Sequence, residues 1–337
     1  MRVLHAPSNM AGQATILSAA LRDLGIESDV VVFNRHPFSY SGEISLDLEK
    51  REWIVEKIAV QSLNFVRCAI SYDVFHLHFG RSLMPRNVDL PLLKLMGKKV
   101  IMHYWGDDVR QNDVAAAYTC LGLEELKRIY PYKNDDTIRK RINKTEKYID
   151  ISIVGDYSLK SYSPRSIVIR QAIDLEKWQY VGTDSKRNGV TIAHAPSNRM
   201  IKGTRHILQV IARLKEEGYE IDFMLLENMS NMKVRQVCEE ADLVIDQLLL
   251  ESYGIFAIEC MALGKPVLCR IDEHFQECYP DLPIVNTNPQ NLYDNLKMLI
   301  EDPRRRAATG EMGRRYVEEV HNAKRIARQL ADLYRSL

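Results

Sequence analysis

The chain has 337 residues, of which 46% are hydrophobic and 27% are charged, as in ordinary globular proteins. This length is sufficient for two domains, each with a buried core of its own. The 46 basic and 45 acidic residues leave a formal net charge of +1. This balance excludes the strongly basic composition that is typical of general nucleic-acid-binding proteins, so no nucleic-acid partner is expected.

The sequence predicts a cytoplasmic protein. It begins with a strand-like run rather than a charged leader and an apolar segment, so no signal peptide is expected. No apolar run approaches the ~18 residues that a helix needs to span a bilayer. No two cysteines have the gap of a zinc ribbon or a thioredoxin-like motif, which favours buried thiols in a reducing compartment. The six cysteines are Cys68, Cys120, Cys238, Cys260, Cys269 and Cys278.

In the first half of the chain, short apolar runs alternate with amphipathic stretches of helical period. This alternation is typical of a parallel sheet that is covered by helices. The first helix is predicted over residues 14–24 and ends at Gly25. The predicted strands cover residues 2–5, 29–33, 74–77, 100–103, 151–154 and 167–169.

The pattern then starts again. The pentapeptide His-Ala-Pro-Ser-Asn occurs twice, at residues 5–9 and 194–198. Each copy follows a predicted strand and precedes a predicted helix, as the first loop of a Rossmann-like unit would. The sequence therefore predicts two similar α/β domains, with a boundary near residues 172–180.

The second half continues the strand and helix alternation. Gly264 is a typical left-handed helix stop, and Pro266 prevents the preceding helix from continuing. The tail over residues 303–337 is predicted to be helical. Before it, helices are predicted over residues 204–217 and 254–263, and strands over residues 222–226, 243–246 and 267–270.

Two glutamates, Glu251 and Glu259, lie eight residues apart between a predicted strand and a predicted helix. Ligands of open α/β sheets bind at the carboxyl edge of the strands, where this segment falls. The amides of Gly254, Ile255 and Phe256 would form the helix N-terminus and donate to hydroxyl or phosphate oxygens. Carboxylates that accept from sugar hydroxyls, beside amides that face a diphosphate, are the groups that a nucleotide sugar requires.

Residues 241–267 resemble the retaining, GT-B-fold glycosyltransferases of family 4 (glycosyl transferases group 1). The resemblance includes two glutamates separated by seven residues, ahead of an Ala-Leu-Gly-Lys-Pro-Val run. It implies transfer of a sugar from a nucleotide-diphosphate donor, with retention, to a glycan, a lipid-linked or a small-molecule acceptor. It also implies that Glu259 binds the ribose hydroxyls of the donor and that Glu251 contacts the transferred sugar near the reacting centre.

The resemblance further implies an α/β fold in which two Rossmann-like domains face each other across a cleft. Residues 1–172 would form the acceptor-side domain, and residues 173–318 the domain that binds the nucleotide sugar. Residues 319–337 would form a helix that returns to the first domain. Acceptor recognition would lie in loops of the first domain, such as residues 35–47 and 115–134.

Residues 198–204 resemble the donor-phosphate loop of the same family. Lys202 and Arg199 would neutralise the charge of the departing nucleoside diphosphate. The family more often has its arginine five or six residues before the lysine, whereas Arg199 is three residues before Lys202. In the first domain, Gly12 occupies the place of the glycine-rich loop that lets the diphosphate approach the backbone.

Many members of the family carry a histidine close to the transferred sugar, ahead of a Gly-Ser-Asp run. Aligned on Gly106 and Asp108, that position is occupied here by Trp105. Side chains two residues apart on a strand point the same way, so His103 is a candidate to substitute for that histidine. An ordinary structural histidine near the end of the strand is the alternative.

We expect neither a metal nor another cofactor. His76 and His78 alternate at the end of a predicted strand, but no carboxylate or cysteine accompanies them in sequence. No Asp-x-Asp motif follows a strand, and retaining enzymes of this fold generally work without a metal. His78 and the residues after it, up to Ser82, are a candidate lining of the cleft.

Two basic stretches lie over residues 127–147 and 304–315. Acidic residues are interleaved in both, which is typical of solvated helix faces. A peripheral contact with an anionic membrane surface is a second hypothesis for them.

Two alternatives to a transferase remain open. One is an inactive relative that binds a nucleotide sugar, and the other is a sugar-nucleotide epimerase or synthase of the same fold. An NAD-dependent enzyme is not expected, because neither first loop has the three-glycine fingerprint. The sequence specifies neither the donor base, the sugar and the acceptor nor the oligomeric state.

Overall fold

A computed structural model describes residues 1–35, 42–183 and 189–337. The strands are β1 Arg2–Ala6, β2 Glu27–Val32, β3 Glu43–Ser45, β4 Val74–His78, β5 Lys99–Tyr104, β6 Ile151–Val154, β7 Ile167–Val168, β8 Val190–His194, β9 Ile221–Leu225, β10 Leu243–Ile245, β11 Val267–Cys269 and β12 Val285–Asn286. The helices are α1 Gln13–Asp23, α2 Ile54–Ser71, α3 Leu90–Leu95, α4 Asn112–Tyr118, α5 Leu123–Ile129, α6 Asp135–Thr145, α7 Arg199–Lys202, α8 Thr204–Glu216, α9 Asn231–Glu240, α10 Ile255–Ala262, α11 Glu273–Gln276, α12 Leu292–Glu301, α13 Pro303–Val320 and α14 Ala323–Ser336.

The chain divides into two units. The first unit contains residues 1–111, 133–172 and 323–337, and the second contains residues 112–132 and 173–322. The chain passes from the first unit to the second after residue 172. Residues 112–132 also belong to the second unit. There the amide of Cys120 donates to the carbonyl of Leu249, and Arg270 donates to the carbonyl of Tyr118.

The first unit contains a seven-stranded parallel sheet with the order β3-β2-β1-β4-β5-β6-β7. One face of this sheet packs against α1 and α14, whose apolar side chains form a single core with those of the strands. Val3 and Val74 are fully buried in this core, as is Tyr334 of α14. The final helix, α14, is therefore part of the first unit, although residues 173–322 before it belong to the second.

The second unit contains a five-stranded parallel sheet with the order β12-β11-β10-β8-β9. Its strands are buried runs such as Leu243–Ile245, which suits a sheet that is covered on both faces. Helices α8 and α12 pack against it through Ile207, Ile211 and Leu296. The central position of β10 and β8 brings the loops that follow these two strands to one edge of the sheet.

The structure describes most of the two proposed acceptor segments. Residues 36–41, within the segment 35–47, lie outside the described residues. The segment 115–134 forms the end of α4, all of α5 and the turn before α6, and all but its last two residues belong to the second unit. No helix of the described chain is both long enough and apolar enough to cross a membrane.

Candidate functional site

The carboxylate of Asp246, directly after β10, connects two of the predicted site segments in the second unit. Its Oδ1 atom lies 2.6 Å from the Lys202 ammonium group, and its Oδ2 atom accepts from the amide of Gly254 at 3.3 Å. Asp246 is buried, so its charge depends on these partners. One side chain therefore holds the end of α7 and the start of α10 at the same place.

The Lys202 ammonium group also donates to Oε1 of Gln247 at 2.6 Å. Gln247 in turn donates to the carbonyl of Ser252, which ties the loop between β10 and α10 to α7. An ammonium group has three N–H donors, and two are used here. Within residues 1–35, 42–183 and 189–337, no third acceptor contacts this group. One N–H of Lys202 is thus available to an added anion.

Helix α10 begins at Ile255, after Gly254 in an extended conformation. Gly254, the residue that precedes the helix, has no side chain to cap it. Of the three predicted amides, that of Gly254 donates to Asp246, and those of Ile255 and Phe256 follow in the first turn of α10.

Glu251 lies in the loop before α10 and is fully buried. Its carbonyl accepts from the amide of Asp272 at 2.9 Å. The guanidinium group of Arg270 supports the same loop by donating to the carbonyl of Leu250 at 3.0 Å. The loop is fixed through its backbone, so the Glu251 side chain is held inside the unit rather than displayed on the surface.

Glu259 lies on α10, one helical turn beyond its first amides. Burial raises the pKa of its carboxyl group to about 8, and the negative charge of Asp246 adds to this shift. Lys177 and a hydrogen bond from Asn231 oppose the shift. At neutral pH the side chain is therefore mostly protonated, and it can both donate and accept hydrogen bonds.

Arg199 differs from Lys202 in its surroundings. Its Nε atom donates to Oε1 of Glu227 at 2.7 Å, and the arginine side chain is 55% exposed. Asn198 caps the short helix α7 by accepting from the amides of Met200 and Ile201. Arg199 therefore lies beside Lys202 in sequence but makes a surface ion pair of its own.

In the first unit, Gly12 precedes α1 with φ of 75°, in the left-handed region that glycine adopts without strain. Asn9 accepts from the amides of Ala14 and Thr15 at the start of that helix. Its counterpart Asn198 has the same function before α7. The repeated His-Ala-Pro-Ser-Asn sequence thus encodes a strand, a turn and a capping asparagine in both units.

His103 belongs to a cluster of four buried histidines on one face of the first sheet. The strand register pairs His5 with His76 and His78 with His103. The ring of His103 is bonded to His76 at 3.1 Å, and it stacks on Trp105 with the ring centroids 4.0 Å apart. His103 is therefore enclosed by aromatic rings instead of facing an open surface of its unit.

The hydrogen bonds fix the protons in part of this cluster. The indole N–H of Trp105 donates to Nδ1 of His78 at 3.1 Å. His78 in its neutral form then has its proton on Nε2 and donates to Nδ1 of His5 at 3.0 Å. Burial lowers the pKa of His5 and of His103 to about 3, so both rings are neutral at physiological pH.

His5 supplies the third ligand that the sequence did not place beside His76 and His78. Ring nitrogens of these three residues lie within 4.8 Å of one another. To bind a metal through Nε2, His78 would need its proton on Nδ1, where Trp105 already donates. The hydrogen bonds therefore fit a neutral cluster of rings better than they fit a metal centre.

Sequence reasoning missed Asp246 and His5. Asp246 is a carboxylate at the carboxyl end of a buried strand, which is a position where α/β proteins bind ligands. That position was the signal that could have identified it. No local signal identifies His5, because its partners come from two other strands.

No protein-family profile matches the chain, and no curated protein sequence matches it. Solved structures do match over the full length. Sucrose-phosphate synthase from Thermosynechococcus elongatus is 16% identical with a TM-score of 0.71, and the match covers 99% of this chain and 98% of that one. Anabaena HepE, solved with UDP and glucose, is 14% identical with a TM-score of 0.66 and full coverage of both chains.

The catalytic domain of starch synthase IV from Arabidopsis thaliana, bound to ADP and acarbose, is 12% identical with a TM-score of 0.63. That match covers 100% of this chain and 99% of the other. These similarities establish the fold at the level of the whole chain. The predicted α/β class with two Rossmann-like units, the GT-B fold, is confirmed.

The raised pKa of Glu259 predicts a specific pH dependence of stability. The folded protein keeps this proton up to about pH 8, whereas the unfolded chain releases it near the ordinary value of 4.5. The contribution of Glu259 to the free energy of unfolding therefore falls as the pH rises from 4.5 to 8. Urea unfolding of wild type and Glu259→Gln should show the variant gaining stability relative to wild type across this window.

Lys177→Gln is the matched variant, because Lys177 opposes the shift. Without Lys177 the pKa of Glu259 should rise further, so this variant should continue to lose stability at pH values above those at which the loss in wild type ends. Parallel stability curves for wild type and Glu259→Gln between pH 4.5 and 8 would contradict the assigned pKa.

Proposed function

We propose that the chain is a glycosyltransferase that moves a sugar from a nucleotide-diphosphate sugar to an acceptor, with retention of configuration. The acceptor is a glycan, a lipid-linked molecule or a small molecule. Two considerations support the donor class. The fold is shared with proteins solved with UDP and glucose or with ADP. The second unit also holds a cation and a helix start at one carboxylate.

The observation that carries the proposal is the arrangement of Lys202. Asp246 and Gln247 orient its ammonium group and leave one N–H for an anion. The start of α10, which is joined to the same carboxylate through the Gly254 amide, would supply the amides of Ile255 and Phe256. A departing nucleoside diphosphate gains negative charge at this point of the reaction, and fixed donors of this kind stabilise such charge.

The other predicted residues have separate roles in this proposal. Glu259 would bind the ribose hydroxyls, and Glu251 would orient the transferred sugar. Arg199 would provide a second cation if its ion pair with Glu227 were replaced by one with a phosphate of the donor. Gly12 would let the diphosphate approach the first unit. His103 is enclosed, so we propose that it supports Trp105 rather than contacting the transferred sugar.

The proposed reaction needs no metal, because Lys202 and the start of α10 supply the positive charge that the leaving group requires. The acceptor hydroxyl would attack on the face that the leaving group vacates. Because the acceptor oxygen attacks the sugar directly, the proposed reaction uses no protein nucleophile. The proton of the acceptor hydroxyl would pass to the departing phosphate. The proposed location is the cytoplasm, where sugar nucleotides are substrates.

An inactive binding protein is the second candidate. Two observations favour it: His103 is 1% exposed, and Glu251 is 0% exposed. Such a protein would bind the nucleotide sugar through Lys202 and Glu259 without cleaving it. Cleavage of the sugar nucleotide separates the two candidates, whereas conversion of the donor without release of nucleotide would indicate an epimerase.

Calorimetric titration of UDP, GDP and ADP, with EDTA present, tests the donor site. One nucleotide should bind with a dissociation constant on the order of micromolar, and Lys202→Met should weaken it at least about tenfold. Lys215→Met on the exposed face of α8 is the matched control and should bind like wild type. Urea unfolding must show that Lys202→Met is folded, since it leaves Asp246 without its cation. Failure of all three nucleotides to bind folded wild type would contradict the donor assignment.

Turnover of the matching sugar nucleotide tests Glu251. Glu251→Gln should lower the release of nucleotide by far more than it weakens nucleotide binding, because Glu251 is assigned to the sugar and not to the nucleotide. Equal losses in turnover and binding would remove Glu251 from the reacting centre. Wild type that binds the nucleotide yet releases none from any sugar nucleotide would favour the inactive binding protein.

A further inference from the structure

A basic cleft of about 570 Å³ opens in the first unit, beyond the carboxyl end of β4. It lies between the loop after β4 and helices α2, α3 and α6. Five of the described residues that line it are cationic, and none is Asp or Glu. The cations are Arg81, Arg86, Lys140, Arg141 and Lys144, and the apolar lining includes Phe33, Met84, Pro85, Leu90 and Tyr148.

Four of the five charges in this basic cleft are not compensated by an ion pair. Arg81, Arg86, Lys140 and Lys144 make no ion pair with any carboxylate of the described residues, whereas Arg141 interacts with Asp108. Neighbouring cations differ: Arg139 pairs with Asp136, for example. A lysine in the last turn of α6 is favoured by the helix dipole, which accounts for Lys144 but not for the arginines of the loop. The excess of positive charge is therefore a property of the cleft.

Helix α2 carries an exposed apolar stripe. Val55, Leu63, Val66 and Ile70 recur at helical spacing on one side, and each is between 53% and 76% exposed. The opposite side of the helix is buried at Gln61, Cys68 and Ala69. A surface helix normally has polar residues where α2 has this stripe. Contact of this exposed side with an apolar surface would therefore remove aliphatic side chains from water.

Helix α3 also exposes apolar side chains. Leu92, Leu95 and Met96 are each about half exposed or more. Single exposed apolar residues are ordinary, but a contiguous patch on a monomer usually marks an interaction site. We call the exposed residues of α2 and α3 together the apolar face.

The two helices that carry the apolar face also border the basic cleft. Gln61 of α2 and Leu90 of α3, on the buried sides of their helices, line the cleft, and the Ser62 hydroxyl contacts the Met84 sulfur at 3.9 Å. The helices that expose aliphatic side chains are therefore also walls of the cleft that holds the cations. An interface between water and an anionic bilayer offers phosphates and acyl chains in the same succession.

The second predicted basic stretch lies on α13 of the second unit, outside this cleft. Two of its arginines have structural contacts: Arg306 is buried and donates to the carbonyls of Leu299 and Ile300. Arg314 donates to the carbonyl of Trp178 and pairs with Glu318. These arginines hold α13 in place in the second unit. Of the two stretches, only the part over 127–147 that lies on α6 has cations in the cleft.

We propose that the first unit docks on an anionic lipid bilayer, with a lipid phosphate in the basic cleft and the apolar face against the acyl chains. Charge complementarity selects this occupant over a second copy of the chain. Two copies that met through this surface would bring their uncompensated cations together. The docking does not depend on the proposed reaction, and it involves none of the residues assigned to the donor site.

Flotation of the full chain with vesicles tests the docking. Vesicles of phosphatidylcholine with about one third phosphatidylglycerol should carry the protein, and pure phosphatidylcholine vesicles should carry far less. The triple variant Arg81→Gln, Lys140→Gln, Lys144→Gln should lower binding to the anionic vesicles at least about tenfold. The control triple Lys160→Gln, Arg325→Gln, Arg328→Gln removes three exposed cations of the same unit and should bind like wild type.

The apolar face is tested separately. Leu63→Gln with Ile70→Gln should weaken flotation while urea unfolding and nucleotide binding stay as in wild type. Met232→Gln, an exposed apolar residue of the second unit, is the control. Light scattering should show the same molar mass for the wild type and the double variant.

Three results for wild type would overturn the proposal: binding to neither kind of vesicle, equal binding to both, or binding of soluble glycerol phosphate in the cleft without flotation. A dimer that Leu63→Gln with Ile70→Gln dissociates would show instead that the apolar face is a contact between copies. Unchanged nucleotide binding in these experiments would leave the proposed function standing, so the two proposals fail independently.

Discussion

The second unit depends on one buried carboxylate. Asp246 pairs with the Lys202 ammonium group through one oxygen and accepts from the Gly254 amide through the other. Burying a carboxylate is costly unless it is paired, so the position of α7 and that of α10 are both coupled to its charge. Lys202 and the first amides of α10 consequently converge on one point at the carboxyl edge of the sheet. The roles that we propose for Lys202 and for the first amides of α10 require this convergence.

The pentapeptide His-Ala-Pro-Ser-Asn forms the same local structure in both units, but its histidine has different partners in each. Both copies of the pentapeptide end a strand and cap a helix with an asparagine. In the second unit, His194 donates from Nδ1 to the Ile245 carbonyl and accepts from Thr204. In the first unit, the equivalent His5 joins a cluster of rings that ends at Trp105. The local sequence sets the turn, but the neighbouring strands determine what the histidine does.

Local features were predictable from the sequence. The strand over residues 151–154 has the predicted bounds, and the helix before Gly264 ends where the glycine requires. Contacts between distant segments were not. Asp246 lies 44 residues from Lys202, and no local pattern connects them. Residues 112–132 interrupt the first unit in sequence and join the second through backbone contacts such as that of Cys120 with Leu249. The exposed apolar stripe of α2 could not be predicted either, because the sequence does not show which side of this helix is buried.

A double-mutant cycle on Lys202→Met and Asp246→Asn tests the central interaction most directly, with the free energy of unfolding in urea as the readout. Lys202→Met leaves a buried carboxylate unpaired, and Asp246→Asn removes that charge. We therefore expect the double variant to be more stable than the sum of the two single losses implies, by at least about 1 kcal/mol. Losses that add to within about 0.5 kcal/mol would show that the two side chains act independently, and would contradict the account of the site.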